Sequence, residues 1–302
     1  MNWTIPGTLA LAVGLVAVGF TPSYDAKGEF DGGTQAGTWQ FAATARAQSG
    51  PVGDIVGLEP GMDFDTIVSL IKKREDIGPI ETAEQWIRQN HGVPTRQLLR
   101  AADGTSCAEG EGAQPSGGHI LCNTFGGRFE ARKDITNEIV VAFVGMPEKE
   151  TAGSLWRRNF YPDGANPTVS GLEEALAEKY GMPHIRQTES GYYSTTHRTG
   201  AINLNWVYAP NGSPITNNDS LKQRCVNGPK PWFTTNHSWN GGCGLTVRAE
   251  ILPVPGNRLL AQELHITVVH QKDLIAALGQ FDTELKAAVE KQAGGKAKKQ
   301  DL

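Results

Sequence analysis

The sequence predicts an α+β fold: an antiparallel sheet with helices packed on one face, built from two related helix–sheet units, a strand-rich C-terminal part and a C-terminal helix. Three observations carry this expectation. A pattern of helix start, apolar face, glycine and proline occurs twice, in residues 82–94 and 168–183. Residues 202–208, 245–251 and 264–268 alternate apolar with polar, the period-two signature of strands. The 36 glycines and 17 prolines among 302 residues call for many turns, as a sheet-rich fold does and a helix bundle does not.

Composition narrows the partners. A net charge of −4 lacks the basic excess that nucleic-acid binding rests on. Residues 5–20 are almost wholly apolar but fall short of the roughly 20 residues of a spanning helix. They suit the apolar part of a secretory signal. No Lys or Arg precedes them, a departure from the signal pattern, and three readings stand: residues 1–28 form a cleaved signal, they stay as an N-terminal anchor, or the start codon lies further on. Residues 29–51 read as a flexible linker, 52–190 as repeated α+β units, 191–290 as the strand-rich part with its closing helix, and 291–302 as a disordered tail.

Within the folded part, Ile55–Leu58 reads as a short strand before a Pro60-Gly61 turn. Asp63 is placed to cap a helix whose apolar face is Phe64, Ile67, Leu70 and Ile71, with Lys72, Lys73 and Arg74 at its negative end. Thr82 and Gln85 then have capping-box spacing, Trp86 and Ile87 supply an apolar face, and Gly92 and Pro94 end the segment. Residues 95–101 read as a strand, and 120–122 with 128–132 as a hairpin about Gly126-Gly127. Residues 139–144 are apolar throughout, as in a strand buried on both faces. In the strand 155–161, Arg157 and Arg158 must point to opposite sides, and one of them should face a carboxylate or the wet side. Ser170 and Glu173 have the capping-box spacing of the second helix, which Gly181 and Pro183 stop. Strands 245–251 and 264–268 should pair as a hairpin through residues 253–257. Leu274, Leu278, Phe281, Leu285 and Val289 form a helical stripe that should pack on the sheet.

The string Gly57, Leu58, Glu59, Pro60, Gly61, Met62, followed by an amphipathic helix, resembles the turn–helix signature of the SmpA/OmlA group of small outer-membrane assembly lipoproteins. It is also similar to repeats of the β-lactamase-inhibitor-protein-like (BLIP-like) kind. The resemblance implies helices laid against an antiparallel sheet and a role in binding other proteins. The chain departs from the lipoproteins in lacking an anchoring cysteine near the apolar run and in its greater length.

Four cysteines allow three pairings. The local pairs Cys107 with Cys122 and Cys225 with Cys243 close the shortest loops and cost least. Such bonds persist in oxidising compartments, in keeping with export to the periplasm or medium. No CxxC or HxxxH spacing supports a metal site, and no phosphate loop, dinucleotide fingerprint or GxSxG motif suggests a cofactor or a nucleophile elbow. His265 and His270, five apart, should face opposite sides of a strand. A Cys243 thiol activated by His237 or by a distant histidine is the best nucleophile arrangement, and pairing with Cys225 removes it.

The loop between Cys225 and Cys243 reads better as a recognition surface. Trp232, Phe233 and Trp239 sit among small polar residues, with Lys222, Arg224 and Lys230 nearby. Aromatic and arginine side chains are what binding hot spots are made of, although such rings also cover the ends of sheets. The expected function is therefore an exported, non-catalytic protein that binds another protein or an envelope component, with membrane contact only through an uncleaved N-terminal segment. The alternatives are an exported hydrolase with a dispersed site and an inhibitor of a secreted enzyme.

Overall fold

Alternating apolar side chains of the C-terminal strands become one side of a single antiparallel sheet. The computed structural model describes residues 51–78, 80–84, 86, 88–103, 135–188, 200–227 and 238–300. Its elements are α1 (Phe64–Lys72), β1 (Ile80–Ala83), β2 (Leu98–Ala102), β3 (Asn137–Val144), β4 (Thr151–Phe160), α2 (Val169–Tyr180), β5 (Ile185–Thr188), β6 (Ile202–Val207), α3 (Asp219–Asn227), β7 (Leu245–Val254), β8 (Asn257–His270) and α4 (Gln271–Gln300). The strand order is β1-β2-β3-β4-β8-β7-β6-β5. Each edge thus runs inward in chain order, and the two runs of four strands meet at the β4–β8 pair.

The main core lies on the face covered by α1 and α2. Phe64, Ile67 and Ile71 of α1 and Val169, Leu176 and Tyr180 of α2 pack there against Ile139, Val141 and Phe143 of β3, Leu204 and Trp206 of β6, and their neighbours. Every residue of β3 is buried, as its apolar run requires. Asp63 caps α1 as its position predicts, its carboxylate accepting the Thr66 N–H at 2.8 Å.

Four expectations need correction. The segment 82–94 is not a helix: Ala83 ends β1, which pairs with β2, and none of the described residues from 84 to 94 is helical. The buried Gln97 explains this, because its Oε1 accepts the backbone N–H groups of Trp86 and Arg88 that a helix would have used. In α2 the cap is Thr168, whose Oγ1 accepts the Gly171 N–H at 3.1 Å, and Ser170 lies inside the first turn. Residues 55–58 form a tight turn rather than a strand. Ile55 and Leu58 exchange two backbone hydrogen bonds of 2.9 Å around Val56 and Gly57, both at positive φ, the conformation for which glycine is suited.

The fourth correction concerns the helices. α1 and α2 share a face, but α4 packs on the opposite one, where Leu274, Leu278, Phe281 and Leu285 meet Val144 of β3 and Val269 of β8. Gly153 permits this approach, since a Cβ there would lie 2.5 Å from Leu274 Cδ1. α3 lies on that second face too, with Val226 beside Val207 of β6. The stripe predicted for the last helix is thus buried, and α4 continues to Gln300, through most of the stretch read as a tail. The hairpin at 120–132 and the N-terminal segments lie outside the described residues. Among the described residues no helix is long and apolar enough to cross a membrane.

Candidate functional site

Of the residues singled out for recognition, Arg224 and Trp239 are described, whereas Lys230, Trp232 and Phe233 lie outside the described residues, as do Cys107 and Cys122. The expected bond between Cys225 and Cys243 is present, with Cα atoms 5.6 Å apart and both residues fully buried. It ties α3 to the Asn240–Gly244 turn. With Ile215, Val226 and Val207 the two cysteines form a small apolar cluster of their own. Arg224 is exposed at the last turn of α3, where its Nη1 reaches Ser220 Oγ at 3.2 Å. Trp239 takes the other role foreseen for large rings: it is half-buried and packs on the apolar stripe of α4.

A second device fixes this segment. Gln271, the first residue of α4, is fully buried. Its Oε1 accepts the Asn240 N–H at 3.0 Å, and its Nε2 donates to the Cys225 carbonyl at 2.8 Å and to Thr246 Oγ1 at 3.0 Å. The backbone N–H groups of Gln271 and Lys272 donate to the carbonyls of Gly244 and Cys243, both at 3.0 Å. One glutamine therefore joins α3, the disulfide turn, β7 and α4. Its polarity alone carries no sign of this in the sequence.

The second face of the sheet holds a row of buried charge that the sequence reading missed. Cross-strand pairing sets Glu138 (β3) opposite Arg158 (β4), Arg158 opposite His265 (β8), His265 opposite Glu250 (β7) and Glu250 opposite Asn203 (β6). Each of the five is at most 4% exposed. Arg158 Nε donates to Glu263 Oε2 at 2.9 Å, and the same oxygen lies 3.0 Å from His265 Nε2. His265 Nδ1 lies 4.0 Å from Glu250 Oε2. Arg100 of β2 pairs with Glu138 and, at 3.1 Å, with Glu81. Burial works to raise the Glu263 carboxyl, but its hydrogen bond to His265 and the charge of Arg158 outweigh it and hold the pKa down at about 2.

The division of labour foreseen for the two arginines holds. Arg158 faces the carboxylates, and Arg157 on the other side donates to Asn137 Oδ1 at 3.1 Å. His265 and His270 do face opposite sides, His265 among the charges and His270 2.9 Å from Asp273 Oδ2. The missed signal was there in β6, β7 and β8, where polar residues alternate with the core residues. Alternation alone does not tell a wet face from a buried polar one.

Chemically, the row holds an imidazole–carboxylate pair locked by an arginine and withdrawn from solvent. The disulfide leaves Cys243 no thiol to act as a nucleophile. Among the described residues no three His, Cys, Asp or Glu side chains gather to hold a metal ion. The architecture is that of an α+β protein with one eight-stranded antiparallel sheet between helices. Comparison with family models, curated proteins and solved structures finds no match for the chain.

Proposed function

We propose that this is an exported, non-catalytic protein, periplasmic or secreted, that binds another protein or an envelope component through the segment between β6 and β7. The observation that carries the reading is the way this segment is held. A disulfide, a buried glutamine clasp and a small private core join its two described flanks, α3 and the Asn240–Gly244 turn, while Arg224 is exposed. Fixing the two flanks of a binding segment lowers the ordering cost of binding. Arg224, Lys230, Trp232 and Phe233 are the contact residues, with Trp239 bracing the segment on α4. The disulfide also supports an oxidising compartment.

We further read the chain as two related units, each a helix followed by four strands. Support comes from the equivalent anchoring of their helices. Met62 O accepts the Ala152 N–H of β4 at 2.8 Å just before α1, and Pro167 O accepts the Ala261 N–H of β8 at 2.9 Å just before α2. Asp63 and Thr168, the two caps, bridge Thr151 and Leu260 in the same two strands. The two cysteine pairs fall at the same point of each unit, between its second and third strands. This arrangement is in keeping with the resemblance to BLIP-like repeats.

The test compares the wild type with a variant carrying Arg224→Ala, Lys230→Ala, Trp232→Ala and Phe233→Ala, each immobilised and exposed to envelope extract. A partner retained by the wild type and lost by the variant supports the assignment. Identical recovery from both removes the segment from the binding surface. Intact-mass measurement of the protein recovered from the periplasm or medium gives its N-terminus, and confinement to the cytoplasm with reduced cysteines would overturn the exported reading.

A further inference from the structure

A cleft of about 690 Å³ opens where the sheet ends between β4 and β8 and α4 begins. That volume suits a small ligand or one inserted side chain. Its lining residues include the apolar Leu245, Leu274 and Ala277 and the acidic Asp54, Glu59 and Asp273. Among the described residues no lysine or arginine lines it.

The three carboxylates are not equivalent. Asp54 is neutralised by Lys179, whose Nζ lies 2.8 Å from its Oδ2. Asp273 lies 2.9 Å from His270 Nδ1, and among the described residues it has no lysine or arginine partner. Glu59 meets no cation among the described residues, and its residue is exposed. Glu59 and Asp273 are therefore the two acidic lining residues without a lysine or arginine partner among the described residues. The start of α4 would ordinarily favour an anion, because its first N–H groups lack helical partners. Here those of Gln271 and Lys272 already donate to Gly244 and Cys243. Two of the first four N–H groups are thus taken, and Glu59 and Asp273 add acceptors and negative charge over an apolar floor.

We propose that this cleft binds a cationic head carried on an apolar stem, namely the side chain of a lysine or arginine presented by a partner protein. The stem lies along Leu245, Leu274 and Ala277, and the ammonium or guanidinium group sits between Glu59 and Asp273. The side chains of Arg224 and Trp239 take no part, so this site is separate from the one assigned above. The protein-binding reading enters only in naming a protein as the source of the cation.

The experiment is an NMR titration of the full chain with the blocked tripeptides Ac-Ala-Lys-Ala-NH2 and Ac-Ala-Arg-Ala-NH2. Norleucine and glutamate analogues of the same peptide and n-butylamine serve as controls. The expected result is saturable shifts at Gly61, Gly153 and Asp273 with the two cationic peptides and none with the norleucine or glutamate ones. The Glu59→Gln, Asp273→Asn double variant should weaken binding at least tenfold. Ala277→Leu, which narrows the cleft without touching its charge, should weaken it similarly. Thermal unfolding verifies that these variants remain folded. Equal binding of the norleucine peptide, or undiminished binding by the double variant, overturns the proposal. Butylamine binding as tightly as the lysine peptide overturns the assignment to a protein side chain. Loss of envelope partners in the Arg224 variant with this titration unchanged keeps the two sites distinct.

Discussion

The side-chain amide of Gln271 donates to the carbonyl oxygen of Cys225 across 2.8 Å, joining the first residue of α4 to one half of the disulfide. The same side chain serves Asn240 and Thr246, so three polar groups from three parts of the chain depend on it. This makes the docking of α4 and the holding of the β6–β7 segment a single cooperative feature.

Replacing Gln271 with Leu keeps its volume and strands those partners. A buried group left unpaired costs roughly 1–3 kcal/mol, so the substitution should destabilise the protein by about 3 kcal/mol in total. Urea unfolding followed by tryptophan fluorescence measures this. A shift in midpoint below that of an ordinary surface substitution would show that water replaces the lost bonds.

The pair Arg158 and Glu263 calls for a double-mutant cycle. Both are buried, and removal of one partner from a buried pair typically costs about 3–5 kcal/mol because the other charge is left uncompensated. Arg158→Met should therefore be severe. Arg158→Met combined with Glu263→Leu should be milder than the sum of the single changes, with a coupling energy of about 2 kcal/mol or more. Additive single effects would mean that the two charges are held by other groups.

Acid should weaken the protein through Glu263. Its folded pKa, at about 2, lies below the ordinary 4.5. The stabilisation is then fully present above pH 4.5 and disappears as pH falls toward 2, because the unfolded chain takes up the proton first. For this buried group the loss is on the order of 3 kcal/mol. Asp54 is also held below its usual value, its bonds to Lys179 and Gly57 outweighing burial, and it acts in the same direction. Unfolding free energies of the wild type and Glu263→Gln between pH 6 and pH 2.5 check this: the variant should start lower and show the shallower decline. Parallel curves would remove Glu263 as a source of the acid sensitivity.

What was legible in the sequence followed from burial periodicity. Leu274, Leu278, Phe281 and Leu285 could be placed on one face of a helix because their spacing leaves no other common face. Ile202, Leu204 and Trp206 could likewise be placed on the core side of a strand. The segment 82–94 misled because glycine and proline stops end turns as readily as helices, and the deciding group, Gln97, lies beyond the segment. The row from Glu138 to Asn203 was invisible for another reason. Its members come from five strands, and only register brings them into line. The side of the sheet taken by α4 was equally hidden, since its stripe fits either face until Val144 and Val269 are known to share one.

The start of α2 offers the sharpest separation of sequence signal from structure. Thr168 and Ser170 are both good capping residues, and the spacing from Ser170 to Glu173 suggests the later one. Thr168 is chosen because its backbone is already bridged to Leu260 of β8, which fixes it in the extended conformation a cap needs, at φ −71° and ψ 146°. Thr168→Ala should cost about 1 kcal/mol, the usual loss for a cap. Ser170→Ala should cost nothing or add a few tenths of a kcal/mol, since alanine is the better residue inside a helix. Both positions are exposed, so the Thr168 methyl adds little and chemical denaturation of both variants against the wild type reports the cap. A larger loss from Ser170→Ala than from Thr168→Ala would place the first helical turn two residues later than found.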